Sequence, residues 1–147
     1  MRTVLLLILL AAACCAGEAY GAWKLSPARS TFSGQTQPKT LVLRVEPHPK
    51  GEVVTVDRTG DNGQSTSSST ILYLDGAARD FQGTDCSGSQ TSQRLDSQTV
   101  EILRQCGGGD WEQLVQRLTR QGKELVVEIT RQRSGRRSEE RLLLEKQ

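Results

Sequence analysis

The chain has 147 residues, of which 35% are hydrophobic, 4% aromatic and 24% charged, and its formal net charge is +2. This length suits a single domain. The composition excludes a polytopic membrane protein, a collagen and a coiled coil, and so small a net charge gives no reason to expect nucleic acid as a partner. We expect one domain with a thin hydrophobic core.

The N-terminus has the pattern of a secretory signal. Arg2 precedes an unbroken apolar run over residues 4–13, and mostly small residues follow at 16–19. The apolar run is too short to cross a membrane as a helix, which takes roughly 20 residues. We therefore predict a signal peptide over residues 1–19 and a single exported domain over residues 20–147.

The cysteine at position 14 leaves two anchoring alternatives open. Residues 11–14 read Ala-Ala-Ala-Cys, which resembles a bacterial lipobox except that the favoured first residue is Leu. If Cys14 is lipidated, its acyl chains tether the domain to a membrane surface, as in an envelope lipoprotein. If ordinary cleavage removes it, the domain is free in the periplasm or secreted. Either way the apolar run sends the chain across a membrane.

The two cysteines of the predicted domain fit one disulfide. Cys86 and Cys106 are an even pair in an exported chain, and the compartment outside the cytoplasm is oxidising. Residues 94–100 read as two strand ends joined by a polar turn. Folding the chain about Asp96 places Cys86 directly opposite Cys106, within disulfide reach. A metal or redox site is disfavoured because no paired cysteine spacing and no nearby histidine are present.

The rest of the chain consists mostly of short alternating segments separated by turns. Predicted strands cover residues 40–46, 53–58, 65–74, 99–104, 125–130 and 141–146. Turn formers lie between them, and Asp75-Gly76 is a strong hairpin signal. Short strands at close intervals indicate an antiparallel sandwich or barrel.

One segment has the pattern of a helix instead. Asp110 could cap it with Gln113, and Gly122 stands where a helix-ending glycine belongs. Apolar side chains recur at helical spacing, namely Trp111, Leu114, Val115 and Leu118. Periodicity alone therefore predicts a helix over residues 110–121.

Several short motifs carry a resemblance to a known group of proteins. They are Gly-Ala-Trp-Lys-Leu at 21–25, Ser-Thr-Phe at 30–32, Val-Thr-Val-Asp at 54–57, Tyr-Leu-Asp-Gly at 73–76, and residues 95–101, 118–125 and 145–147. With these motifs the sequence resembles small exported bacterial proteins that are lipocalin-like β-barrels, most without an assigned role. The resemblance implies that residues 114–120 pair as a strand with residues 125–131, which opposes the helix, and we follow the resemblance for this segment. Cys86 and Cys106 are not part of the group's pattern, and the hairpin around residues 134–135 is shorter than the pattern.

Trp23 has two interpretations. Gly21-Ala22-Trp23 is similar to the Gly-x-Trp that opens the first lipocalin strand, where the tryptophan closes one end of the barrel. A tryptophan in an aromatic-poor domain is also typical of ordinary core.

No constellation of catalytic or metal-binding residues emerges from the sequence. The single histidine, His48, lies between two prolines in a turn, where no carboxylate is set to orient it. Asp57, Asp61 and Asn62 lack the spacing of an EF-hand, and the glycines at 107–109 lack the lysine of a phosphate-binding loop. We predict no enzyme, no metal and no cofactor, and the sequence assigns no ligand-binding residue.

Two polar stretches leave functional alternatives open. Arg131, Arg133, Arg136 and Arg137 form a basic patch that is either a charged hairpin tip or a contact for an acidic surface. Residues 65–70 are all serine or threonine, and they form either a strand face or a ligand-contacting surface.

Together these features predict an all-β, antiparallel, up-and-down lipocalin-like barrel of roughly eight to ten strands. Its inward aliphatic candidates are Leu41, Leu43, Val45, Val54, Val56, Leu72, Leu74, Val100, Ile102, Leu125, Val127, Ile129, Leu142 and Leu144. The first functional hypothesis is a non-enzymatic exported module that binds a small apolar ligand. The alternative is an interaction or inhibitor protein with a solid core that acts through its loops. An interior cavity of a few hundred Å³ would favour the first.

Overall fold

The computed structural model describes residues 20–33, 37–83, 86–107 and 112–147. The strands in this part of the chain are β1 Gly21–Leu25, β2 Thr40–His48, β3 Gly51–Thr59, β4 Ser65–Leu72, β5 Arg79–Gln82, β6 Ser87–Arg94, β7 Thr99–Cys106, β8 Glu112–Gln121, β9 Glu124–Arg133 and β10 Arg136–Lys146. A single 3₁₀ turn, Pro27–Arg29, is the helical element of these residues. None of their helices is long and apolar enough to cross a membrane. The predicted signal peptide and Cys14 lie outside the described residues.

All ten strands form one antiparallel sheet. Its order is β4-β3-β2-β1-β10-β9-β8-β7-β6-β5, so nearly every strand pairs with its neighbour in sequence. The described strands depart from this rule in two ways: β1 also pairs with β10, with Trp23 opposite Lys146, and the consecutive strands β4 and β5 do not pair. The pairing of β1 with β10 joins the first strand to the last and curls the sheet into a half-barrel. The prediction of an all-β, up-and-down, lipocalin-like architecture is confirmed.

The hydrophobic core fills the concave side of the sheet. Because successive side chains of a strand point to opposite faces, every second residue faces inward. All fourteen aliphatic residues that the alternation placed inward belong to the core or pack against it. The structure adds Trp23, Leu25, Leu114 and Leu118 to them. Trp23 is fully buried, so it is a core residue, and the Lys146 ammonium lies 5.6 Å from its ring centroid.

The segment with helical periodicity is a strand. In β8, Leu114 lies opposite Arg131 and Arg120 lies opposite Leu125, which is the register that the resemblance implied. The helix that periodicity alone predicted is therefore wrong for residues 112–121, and the strand that the resemblance implied is confirmed. Pairing with β7 on one side and β9 on the other satisfies the main chain of β8, and this tertiary pairing outweighs the local helical pattern. Asp110 and Trp111 lie outside the described residues.

The Asp75-Gly76 turn does not join two paired strands, contrary to the hairpin that we predicted there. Leu74 and Gly76 both have positive φ angles, 60° and 74°. The Gly76 N–H donates to the Ser92 carbonyl at 2.9 Å, and the Leu74 N–H donates to Ser92 Oγ at 3.1 Å. The loop thus folds back onto β6, and β4 and β5 become the two edges of the sheet. We call the gap between β4 and β5 the seam.

The predicted pairing of Cys86 with Cys106 is present, although the predicted register is wrong. The two Cα atoms are 5.1 Å apart. Cys106 lies opposite Gly88 because the β6–β7 hairpin is centred on Ser97, one residue later than predicted. Asp96 begins the turn, and its side chain accepts hydrogen bonds from the N–H groups of Gln98 and Thr99. Cys86 lies just before β6, where the chain is free of the strand register.

Candidate ligand-binding cavity

The barrel interior contains a cavity of about 280 Å³. Inward side chains of β2 to β4 and of β7 to β9 form its apolar wall, and Phe81 of β5 lines it beside the seam. A second compartment of about 170 Å³ lies against Phe32, Leu41 and Leu142. Leu43 and Arg131 line both spaces, so the two are compartments of one interior. Its size falls near the lower end for small-molecule pockets, roughly 300–1,000 Å³.

Arg104 of β7 brings a positive charge to the larger compartment. Its Nε donates to Gln90 Oε1 at 2.8 Å, and its guanidinium carbon lies 4.2 Å from the Phe81 ring centroid. Burial lowers the pKa of the Arg104 guanidinium, because removing the charged form from water disfavours it. Among the described residues Arg104 has no carboxylate partner.

Arg131 of β9 lies where the two compartments meet. Its Nε is buried and finds no hydrogen-bond partner among the described residues. No ion pair joins Arg131 to a described carboxylate either. An unpaired donor on a cation in an apolar space is unfavourable by itself. The position therefore suits an oxygen acceptor, and best an anionic one.

The basic patch of the sequence divides into two parts. Arg131 points into the barrel, whereas Arg137 forms an exposed ion pair with Glu139 at 2.6 Å. Alternation along β9 could have revealed this, since Arg131 follows Leu125, Val127 and Ile129 at every second position. Sequence reasoning read the arginines as one surface cluster and so missed the residue that faces the cavity.

The other candidates from the sequence do not meet at the cavity. His48 is the last residue of β2, and its Nδ1 accepts from the Lys50 N–H in the following turn at 3.1 Å. Asp57 pairs with Arg44 at 2.8 Å and accepts from Ser67 Oγ on the outer side of the sheet. The described residues contain no group of three or more His, Cys, Asp or Glu side chains that could hold a metal ion.

A groove of about 330 Å³ runs along the outside of the seam. Ser69 and Thr70 of β4, with Phe81 and Gln82 of β5, line both this groove and the interior cavity. The interior is therefore continuous with the outside through the seam. Within the serine- and threonine-rich stretch at 65–70, residues 68–70 form the β4 side of this opening.

Comparisons with known proteins give a likeness of structure. No family model matches the sequence, and no curated protein matches it. The apo structure of Caenorhabditis elegans lipid binding protein 8 is similar with a TM-score of 0.62 and 11% identity, over 92% of this chain and 100% of that one. The zebrafish ileal bile acid-binding protein in complex with cholic acid is similar with a TM-score of 0.54 and 12% identity, over 87% and 98%. The chain has the fold of these lipid-binding barrels.

Proposed function

We propose that this protein is an exported, non-enzymatic binding module that holds a small apolar molecule with an acidic group inside its barrel. The observation that carries the proposal is the interior itself, which combines apolar walls with two arginines that lack a described carboxylate partner. The structural neighbours support the apolar part of the ligand, since their names are those of lipid- and bile acid-binding proteins. The signal pattern and the disulfide support export.

The two arginines give the ligand its second property. A carboxylate beside Arg131 would accept from the buried Nε and would offset the guanidinium charges of Arg131 and Arg104. Charge-assisted bonds of this kind are about twice as strong as neutral ones. The apolar remainder of the ligand would extend through the larger compartment from Arg131 toward Phe81.

The alternative is an inhibitor or interaction protein with a solid core. That function requires the side chains to fill the barrel, and an interior space of about 280 Å³ weighs against it. An enzymatic function is disfavoured because general acid–base catalysis usually needs a histidine or paired carboxylates. The polar side chains among the described residues that line the cavity are arginine, glutamine and hydroxyl groups instead.

A binding measurement on the exported protein tests the proposal. We expect one site for the apolar anion 8-anilinonaphthalene-1-sulfonate, with increased fluorescence on binding. Decanoic acid should displace the dye more effectively than 1-decanol, which has the same chain without the charge. Absence of saturable dye binding would contradict the proposed function, and equal displacement by acid and alcohol would contradict its acidic part.

Native mass spectrometry of the protein from its own host tests export and supplies the ligand. Cleavage after Ala19 gives a chain that starts at Tyr20, whereas lipidation leaves acyl chains on Cys14. An apolar acid released on denaturation would identify the natural ligand. A chain that still begins at Met1 in the host would contradict the predicted signal.

A further inference from the structure

The seam presents main-chain hydrogen-bonding groups that no strand satisfies. β4 pairs with β3 alone, so its other edge faces the seam. The Ile71 carbonyl points that way, because it accepts from Gln90 Nε2 at 3.5 Å. Main-chain groups of an edge strand alternate in direction, so the N–H and C=O of Ser69 point into the seam as well. The edge therefore offers both a donor and an acceptor at the point where the cavity opens.

Side chains add further hydrogen-bonding groups at the same place. The Thr70 hydroxyl and the Gln82 amide line both the cavity and the outer groove, and neither is hydrogen-bonded to another described residue. Asp80 lines the groove, and its carboxylate has no partner in the described part of the chain. An apolar chain end that reached this point would cover the half-buried Thr70 hydroxyl without giving it a hydrogen-bond partner.

The charge of the seam indicates what kind of group it suits. Arg79 is the cation of the groove, and it is already engaged by two hydrogen bonds to the Asp75 carboxylate at 2.7 and 2.6 Å. Its guanidinium carbon also lies 3.9 Å from the Tyr73 ring centroid. With Arg79 occupied and Asp80 unpaired, the groove disfavours a second anion. A neutral group that both donates and accepts fits best, and a hydroxyl does so with one atom.

We propose that the ligand carries a hydroxyl at the end opposite its acidic group, and that the seam binds this hydroxyl. This inference rests on the proposed function, because it assumes that the acidic group occupies the interior near Arg131. The ligand class is therefore a hydroxylated apolar acid. Thr70 and Gln82 determine the specificity for the hydroxyl, and the Ser69 main chain supports them.

A matched pair of acids tests the inference. Decanoic acid and 10-hydroxydecanoic acid differ by one terminal hydroxyl, and each is titrated against the dye-bound full protein. We expect the hydroxy acid to bind about two- to tenfold tighter, which corresponds to one good hydrogen bond. In a purely apolar pocket the hydroxyl would weaken binding instead, because it would lose its water without a replacement.

Two variants of β4 serve as a matched comparison. Thr70→Val should abolish the preference for the hydroxy acid. Thr66→Val makes the same change four residues earlier on the same face of the strand, away from both cavities, and should retain the preference. Gln82 of β5 is exposed, so the Gln82→Met variant should fold normally. This variant should reduce the preference for the hydroxy acid.

The outcomes separate this inference from the proposed function. If neither acid displaces the dye, the proposed function fails and the inference fails with it. If decanoic acid binds but the hydroxy acid binds no tighter, the inference alone is wrong. A preference that survives both Thr70→Val and Gln82→Met would also overturn it, because the hydroxyl would then be bound elsewhere.

Discussion

Glu52 and Arg120 meet across the barrel, although 68 residues separate them. The Arg120 guanidinium donates to both Glu52 oxygens, at 2.7 and 3.3 Å, and Arg94 adds a third bond at 2.9 Å. Glu52 is 1% exposed and Arg120 is 8% exposed. Glu52 belongs to the β3 side of the seam, while the two arginines belong to β8 and β6 on the other side. The cluster therefore ties together the two halves of the sheet.

Glu52→Gln should strongly destabilise the fold. The variant leaves two guanidinium groups without their buried counter-charge, and breaking such a pair costs about 3–5 kcal/mol. The change is measured as the free energy of unfolding in urea. Glu139→Gln is the matched control, because its pair with Arg137 is exposed and should contribute less than about 1 kcal/mol. Similar effects of the two substitutions would contradict this account of the cluster.

Removal of the disulfide should also destabilise the protein. Cys86 and Cys106 line the cavity, and their disulfide closes a loop with a sequence separation of 20. Their double replacement by alanine should lower the free energy of unfolding by about 2–4 kcal/mol. The intact mass of the native protein should rise by two hydrogens on reduction. An unchanged mass would mean that the bridge is absent.

The contribution of Asp75 to stability should depend on pH. The Arg79 guanidinium, helped by the Ala77 N–H, holds the pKa of the Asp75 carboxyl well below its usual range. Its unfolded pKa is about 4, so the stabilisation is fully present above that pH and disappears as the pH falls through the lower folded-state pKa. Unfolding is measured for the native chain and for Asp75→Asn between about pH 2 and pH 7. The difference between the two should shrink on acidification, and a difference independent of pH would contradict the assignment.

Arg131→Met should weaken ligand binding and stabilise the empty protein. The substitution removes a buried charged donor that has no described partner, so we expect the free energy of unfolding to rise by about 0.5–2 kcal/mol. Affinity for decanoic acid should fall by about tenfold or more, since hydrogen bonds to charged groups contribute about 1.5–3 kcal/mol. Arg133→Met is the control at an exposed position on the same strand, and it should change neither quantity. Loss of stability in Arg131→Met would show that the side chain has a structural role instead.

The alternation of apolar and polar residues along the sequence was sufficient to predict the fold class and the aliphatic residues that face the interior of the barrel. Leu125, Val127 and Ile129 are buried as their period of two requires. Residues 110–121 show the limit of a local pattern, because their helical periodicity predicted the wrong secondary structure. Leu114 and Leu118 are compatible with one face of a helix and with one face of a strand, and the neighbouring strands decide between them.

The candidate site was largely beyond sequence reasoning. The Asp75-Gly76 signal predicted a closed hairpin, yet the Asp75–Arg79 pair and the Ser92 contacts hold the loop against β6 and leave the seam open. The cavity depends in turn on how far the sheet curls, and no residue type encodes that curvature by itself.

The sequence by itself determined the all-β meander, its inward aliphatic residues and the pairing of Cys86 with Cys106, because alternation and cysteine count are properties of the chain taken locally. The tertiary structure decided between the helix and the strand at β8, and only the tertiary structure showed that β4 and β5 remain apart and that a cavity lies beside Arg131. These features depend on contacts between distant strands. The free energy of these contacts depends on which side chains are buried together, and local sequence patterns do not specify that.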